Sequence, residues 1–162
     1  MITNILDTLL VLVGIVGIII AYTQLKALGK QIKEQNIWNK KDATFKYLEK
    51  YDENFKKIAN SLNILLENQS IEEVLKDKRA EIINLVTYFD NLALGIKADY
   101  FDEYIAERSL LLQSIMVYDE LTKHRYFDVR KKEVGNEVAA HFRNLMLKWK
   151  QNQVQRILKD YE

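Results

Sequence analysis

From Thr8 to Leu25 the chain carries no charged side chain, and LVLVGIVGIIIAYTQL within that run is apolar almost throughout. A helix of about 20 such residues crosses the roughly 30 Å of hydrocarbon in a bilayer. The run therefore leaves three options: a membrane span, a cleaved signal sequence or a buried soluble helix. Signal sequences open with basic residues and end at a small-x-small site. Here MITNILD precedes the run, with acidic Asp7 and no basic side chain. That flank favours a retained transmembrane helix over residues 1–28. Lys26, Lys30, Lys33, Lys40 and Lys41 all follow the run. The positive-inside rule then puts the larger, C-terminal part in the cytoplasm.

Charge is nearly balanced, 24 basic against 23 acidic residues, so net charge alone indicates no nucleic-acid partner. Cysteine is absent, which removes disulfides, thiolate nucleophiles and cysteine-ligated metals. Proline is absent as well and there are only five glycines, too few turn residues for a sheet protein. The expected fold is all-α: the span, a helical extension or stalk over 29–52, and a cytoplasmic helical bundle over 53–162.

Steps of three and four along the first helix give Asp7, Leu10, Gly14, Gly17, Ala21, Gln24, Leu28, Gln31 and Gln35. Helices in lipid associate through close approach at small residues and through hydrogen bonds. The line Gly14, Gly17, Ala21, Gln24 is thus a candidate helix interface or pore lining, and a single-span chain forms a pore only as a homo-oligomer. Glycine is also commoner in membrane helices generally, and packing alone accounts for the stripe equally well.

Apolar spacing carries the helix on past Gly29, a candidate bend, to a break near Tyr51, with Asp52 as the next N-cap. Phe55, Ile58, Leu62 and Leu65 mark the following helix. Ser70-Ile71-Glu72-Glu73 fits a capping box, opening a helix to about Ile96 with Val74, Ile82, Leu85, Phe89 and Leu92 on its core face. Gly95 suits a left-handed helix end. Asp99 or Asp102 would cap a helix from Glu103 to Lys123 carrying Ile105, Leu112, Ile115, Met116 and Leu121. A looser connection is expected over Tyr126 to Gly135, then a last helix from Asn136 to Lys159 with Phe142, Leu145, Trp149 and Ile157. Tyr88, Phe89, Tyr100, Phe101 and Tyr104 should be mostly core.

The stretch YFDNLALGIKADYFDEYIAERSLL, Tyr88 to Leu111, resembles a family of small bacterial membrane proteins classed as a domain of unknown function. Their shared elements are one N-terminal span, a helix with a Tyr-Asp break, a signature like YFENLALGIKxGYFDE and a later tryptophan helix. Where that signature has Gly before YFDE this chain has Asp99, a residue that tolerates positive φ better than most. The size and layout also resemble the membrane effectors of bacterial antiphage operons such as the Hailong type. That resemblance implies an inner-membrane protein controlled by a nucleotide or oligonucleotide signal, made by a nucleotidyltransferase of the same operon.

For an enzyme the chain offers little. His124 and His141 are too far apart for a same-helix metal pair, and no HExxH or glycine-rich phosphate loop occurs. The acidic set Asp90, Asp99, Asp102 and Glu103 could suggest metal or acid-base work, but Asp99 and Asp102 sit where helix caps belong. No catalytic residue, metal or cofactor is expected. In KHRYFDVRKK, Lys123, Arg125, Arg130, Lys131 and Lys132 flank Tyr126 and Phe127. Cations with interleaved aromatics suit a nucleotide or single-stranded oligonucleotide, against a solvated loop or attraction to anionic lipid. The expected function is an oligomeric membrane effector, a tetramer favoured, whose ion-conducting or membrane-disrupting span is gated by such a ligand in antiphage defence. The alternative is a non-conducting, membrane-anchored adaptor that recruits a protein partner.

Overall fold

The computed structural model of the protein describes residues 2–51, 53–135 and 137–159. Asp52 and Asn136, and the side chains of Asp7 and Ile157, lie outside the described residues. Every regular element among the described residues is α-helical. The longest is α1 (Ile2–Leu48), and among the described residues it is the one helix long and apolar enough to cross a membrane. None of its apolar window is buried. Gly29 sits inside this continuous helix, not at a break in it. An isolated glycine costs a helix only about 1 kcal/mol.

The chain divides into two compact units, Met1–Asn39 and Lys40–Glu162, so the division falls inside α1 and inside the stretch 29–52. The second unit holds the last turns of α1 together with α2 (Glu53–Asn68), α3 (Ile71–Asp77), α4 (Arg79–Lys97), α5 (Glu103–Lys123), α6 (Tyr126–Val134) and α7 (Ala140–Lys159). Its core joins Leu62, Ile82, Leu85, Phe89, Leu92, Val117, Leu121, Phe142, Met146 and Trp149. Helix α7 packs chiefly against α4 and α5, while α2 packs against α4 and α5.

The capping box is present. The Glu73 N–H donates to Ser70 Oγ at 3.3 Å, and the Ser70 N–H donates to Glu73 Oε2 at 2.9 Å. The hydrogen bond from the Ser70 backbone N–H, reinforced by the one with its hydroxyl, holds the Glu73 carboxyl below its usual range. The helix it opens is shorter than expected, however. It stops at Asp77 and α4 begins at Arg79, with Lys78 between them at φ −120°. Lys78 interrupts the apolar line Ile71, Leu75, Ile82, Leu85, where a lysine cannot follow its neighbours inward.

Helix α5 has the expected bounds but a different buried face: Ala106, Glu107, Leu110, Ser114, Val117, Tyr118 and Leu121. Leu112 is 76 % exposed and Met116 is 37 % exposed. Small Ala106 and Ser114 admit the neighbouring helices, so the core line runs through residues that a hydropathy reading passes over.

The largest departure is α6. Where a loose connection was expected, Tyr126, Phe127 and Arg130 are buried on a nine-residue helix. It starts directly after a tight turn at Arg125, φ +60°, and Gly135 ends it at φ +75°. Asp128 in the first turn and Lys131 and Lys132 in the last complement the helix dipole. The basic character of the segment is therefore partly helix-end chemistry.

Candidate functional site

The signature stretch forms a joint in the second unit, where Tyr88, Phe89, Asp90, Asp99, Phe101, Asp102 and Glu103 each meet a partner in another element. Tyr88 stacks on Tyr47 from the last turns of α1, ring centroids 4.9 Å apart. The Tyr47 hydroxyl donates to the Tyr88 carbonyl at 2.9 Å, and the Tyr88 hydroxyl donates back to the Tyr47 carbonyl at 3.4 Å. Burial pushes the Tyr47 and Tyr51 phenols up to about 12, and pushes Tyr88 upward further. All three thus stay neutral, Tyr47 and Tyr88 as donors, while the buried Tyr51 hydroxyl meets no partner among the described residues. Phe89 stacks on Phe142 of α7 at 5.1 Å.

Asp90 accepts the Phe142 N–H at 2.9 Å, capping the first turn of α7 from another helix. Local sequence carries no signal for this, because the usual capping residue precedes its own helix, and here Ala139 at φ +52° stands there.

Helix α4 ends in a Schellman arrangement, the Tyr100 N–H donating to Gly95 O at 2.9 Å and the Asp99 N–H to Ile96 O at 3.1 Å. The left-handed residue is Asp99, φ +62°, and not Gly95. Gly95 is needed for a different reason. The Phe101 ring lies where a Cβ on residue 95 would stand. That ring also packs on Tyr47 at 4.8 Å.

Asp102 is the N-cap of α5, accepting the Ile105 N–H at 3.2 Å. Its own N–H donates to Thr44 Oγ1 at 2.7 Å, and that hydroxyl donates to the Lys40 carbonyl at 2.7 Å. Lys40 also pairs with Asp99. Thr44 is fully buried. Glu103 accepts Trp149 Nε1–H at 3.0 Å and Lys148 Nζ–H at 2.6 Å. Of the aromatics expected in the core, Tyr88 and Phe89 are buried and Phe101 packs against the core. Tyr100 and Tyr104 are 72 % and 63 % exposed.

Thr44 is the functional-looking residue that sequence reading missed, and it gives the first expected result. Thr44→Val keeps the shape and strands the Asp102 N–H, so it should destabilise the second unit by about 1–3 kcal/mol. Thr44→Ser should retain most of the stability. Chemical denaturation followed by far-UV circular dichroism checks both, and a Val variant as stable as wild type would remove the assigned role.

On α1, Gly14, Gly17, Ala21 and Gln24 are all exposed. No atom lies within 4 Å of a Cβ built at Gly14 or Gly17. Of the second predicted group, Lys123, Arg125, Lys131 and Lys132 are exposed, and Tyr126 and Arg130 are buried. Tyr126 is 1 % exposed, so its ring is no stacking platform. Arg130, 9 % exposed, pairs with Glu133, which also binds Arg79 at 3.1 Å. Lys123 lies 3.8 Å from Glu120, Arg125 Nε 3.2 Å from Asp128, and Lys131 3.9 Å from Glu137. Arg125 and Lys132 line a cavity of about 310 Å³ with His124 and Asp128. His124 Nε2 lies 3.7 Å from Glu120, and His141 lines a separate groove. Among the described residues no group of three or more His, Asp or Glu side chains is placed to hold a metal ion.

No curated protein and no solved structure matches the chain. A family described as "Domain of unknown function (DUF4760)" matches residues 11–149, from the apolar run through the signature joint to Trp149. A match over that much of the chain shows that this protein belongs to the DUF4760 family.

Proposed function

We propose that the protein is an oligomeric membrane effector. In this reading the apolar part of α1 crosses the bacterial inner membrane once, with the helical bundle in the cytoplasm. Copies meet through Gly14, Gly17, Ala21 and Gln24, and the bundle sets whether the assembly conducts ions or disrupts the bilayer. The carrying observation is the open seam: an apolar window that the chain itself leaves uncovered, with free space at Gly14 and Gly17. Lipid offers no hydrophobic gain for covering that window, so close backbone approach between identical helices is the favourable use of a small-residue line. A ring of Gln24 side chains would supply the polar lining that permeation requires.

The joint suits a regulator. Thr44 and Tyr47 lie near the end of the same helix whose other end is apolar, and Asp102 and Tyr88 of the signature bond to them, so a ligand that favours one arrangement of the bundle has one helix to act on. The architectural resemblance to antiphage effectors supports a nucleotide or oligonucleotide signal, with a nucleotidyltransferase from the same operon as its source. The alternative, a non-conducting adaptor, draws support from Leu112 and Met116, which leave an apolar patch on α5.

The test is the oligomeric state in detergent together with membrane potential in expressing cells. Wild type should be an oligomer, a tetramer favoured, and should depolarise cells. Gly17→Leu should shift it toward monomer, and Gln24→Leu should reduce depolarisation while leaving assembly intact. A wild-type monomer, or depolarisation indifferent to both substitutions, would defeat the effector reading.

A further inference from the structure

A cavity of about 570 Å³ opens between α5 and the distal half of α7, lined by Tyr104, Glu107, Arg108, Leu111 and Arg156. The four α5 residues follow helical spacing and share one face. The volume lies within the roughly 300–1,000 Å³ range of small-molecule sites. Each wall offers a distinct chemistry. Tyr104 is 63 % exposed, and the Arg108 guanidinium lies 5.1 Å from its ring centroid. Among the described residues no carboxylate pairs with Arg108.

Glu107 is 7 % exposed. Arg156 Nη2 stands 2.8 Å from its Oε1, yet no donor meets that oxygen along a hydrogen-bonding direction. The ion pair is therefore made and the in-line hydrogen bond is not. Oε1 is closed to solvent, so a donor entering the cavity would meet this carboxylate at its other oxygen, Oε2, where a further N–H bond is favourable.

An aromatic face stacks on planar heterocycles. Guanidinium forks match phosphate oxygens. A buried, undersatisfied carboxylate selects a ring or amino N–H. A nucleotide carries all three complements in one molecule. We infer that the cavity binds a nucleotide, its base stacked on Tyr104 and donating an N–H to Glu107, its phosphate held by Arg108 and Arg156. The ligand class rests on the nucleotide-signal reading above. The location departs from it, away from Lys123 to Lys132, where the aromatic partner Tyr126 is buried.

The experiment is calorimetric titration of the detergent-solubilised full chain with GMP, AMP, a mixed-sequence tetranucleotide and inorganic phosphate. At least one of the three nucleotide probes should bind about 10-fold or more tightly than phosphate alone, the difference expected of one stacked base. Tyr104→Ala and Arg108→Ala alter exposed side chains and should keep the wild-type melting temperature, each weakening binding by about 10-fold. Lys131→Glu/Lys132→Glu should leave affinity unchanged. Binding that survives the Tyr104 and Arg108 changes but is lost in the lysine variant would overturn this site and keep the signal reading. Phosphate binding as tight as the nucleotides would overturn base recognition. No nucleotide binding at millimolar concentration would overturn the site and the signal reading together, leaving self-association to be judged by the seam variants.

Discussion

Trp149→Ala should lower the unfolding free energy by about 4 kcal/mol, within the range of large aromatic truncations in cores. Trp149 is fully buried and is the bulkiest of the fully buried side chains. It lies on α7, the helix that α4 and α5 both pack against. Two losses combine. The indole leaves a cavity that neighbouring helices fill only partly, and Glu103 loses the 3.0 Å bond from Nε1 while keeping Lys148. Trp149→Phe separates the two effects, since it restores most of the apolar volume and removes the donor. It should cost about 1–2 kcal/mol. Denaturant titration by circular dichroism is the suitable measurement, because Trp38 would also report in fluorescence. An alanine variant within about 1 kcal/mol of wild type, well short of a normal core truncation, would mean that α7 is held elsewhere.

Gly95→Ala should destabilise by about 2 kcal/mol, the usual scale of overpacking. The sign is the informative part. Inside a helix alanine is favoured over glycine by about 1 kcal/mol, so propensity alone makes this change stabilising. Gly95 is helical and does not take up a left-handed backbone, which leaves sterics to decide. A new Cβ would meet three atoms of the Phe101 ring, and that ring is pinned against Tyr47. Displacing it disturbs the packing of the joint at the end of α1. Phe101→Leu in the Gly95→Ala background should recover part of the loss, a coupling that independent sites would not give. A stabilised Gly95→Ala protein would show that Phe101 yields freely.

Much of the architecture was legible in order along the chain. The apolar run marked the long first helix, Ser70 and Glu73 announced a cap, and the apolar spacings of α2 and α4 marked buried faces. These are relations within one or two helical turns, and local physics determines them. The misreadings share a cause as well. In α6 the charges of Arg130, Lys131 and Lys132 outweighed a buried pattern at Tyr126, Phe127 and Arg130. In α5 the apolar Leu112 drew attention from Ala106 and Ser114, whose smallness is what lets them be inside.

The candidate nucleotide cavity shows the same limit from the functional side. Tyr104, Glu107, Arg108 and Leu111 have helical spacing that any reading can find, but nothing along the chain says that Arg156 comes to Glu107. Nor does local sequence reveal that Asp90 caps a helix 52 residues away, or that Thr44 meets Asp102 across 58.

The amino-acid sequence by itself determined that this protein is helical, where most helices start and stop, and that one of them is apolar enough for a bilayer. Those outcomes follow from side-chain spacing and from hydrogen bonds between near neighbours. The tertiary structure alone decided what the signature residues are for, joining Tyr88 to Tyr47, Asp102 to Thr44 and Glu103 to Trp149. The reason is geometric: such partners are chosen by how helices cross and which faces meet, and no short stretch of chain encodes that choice.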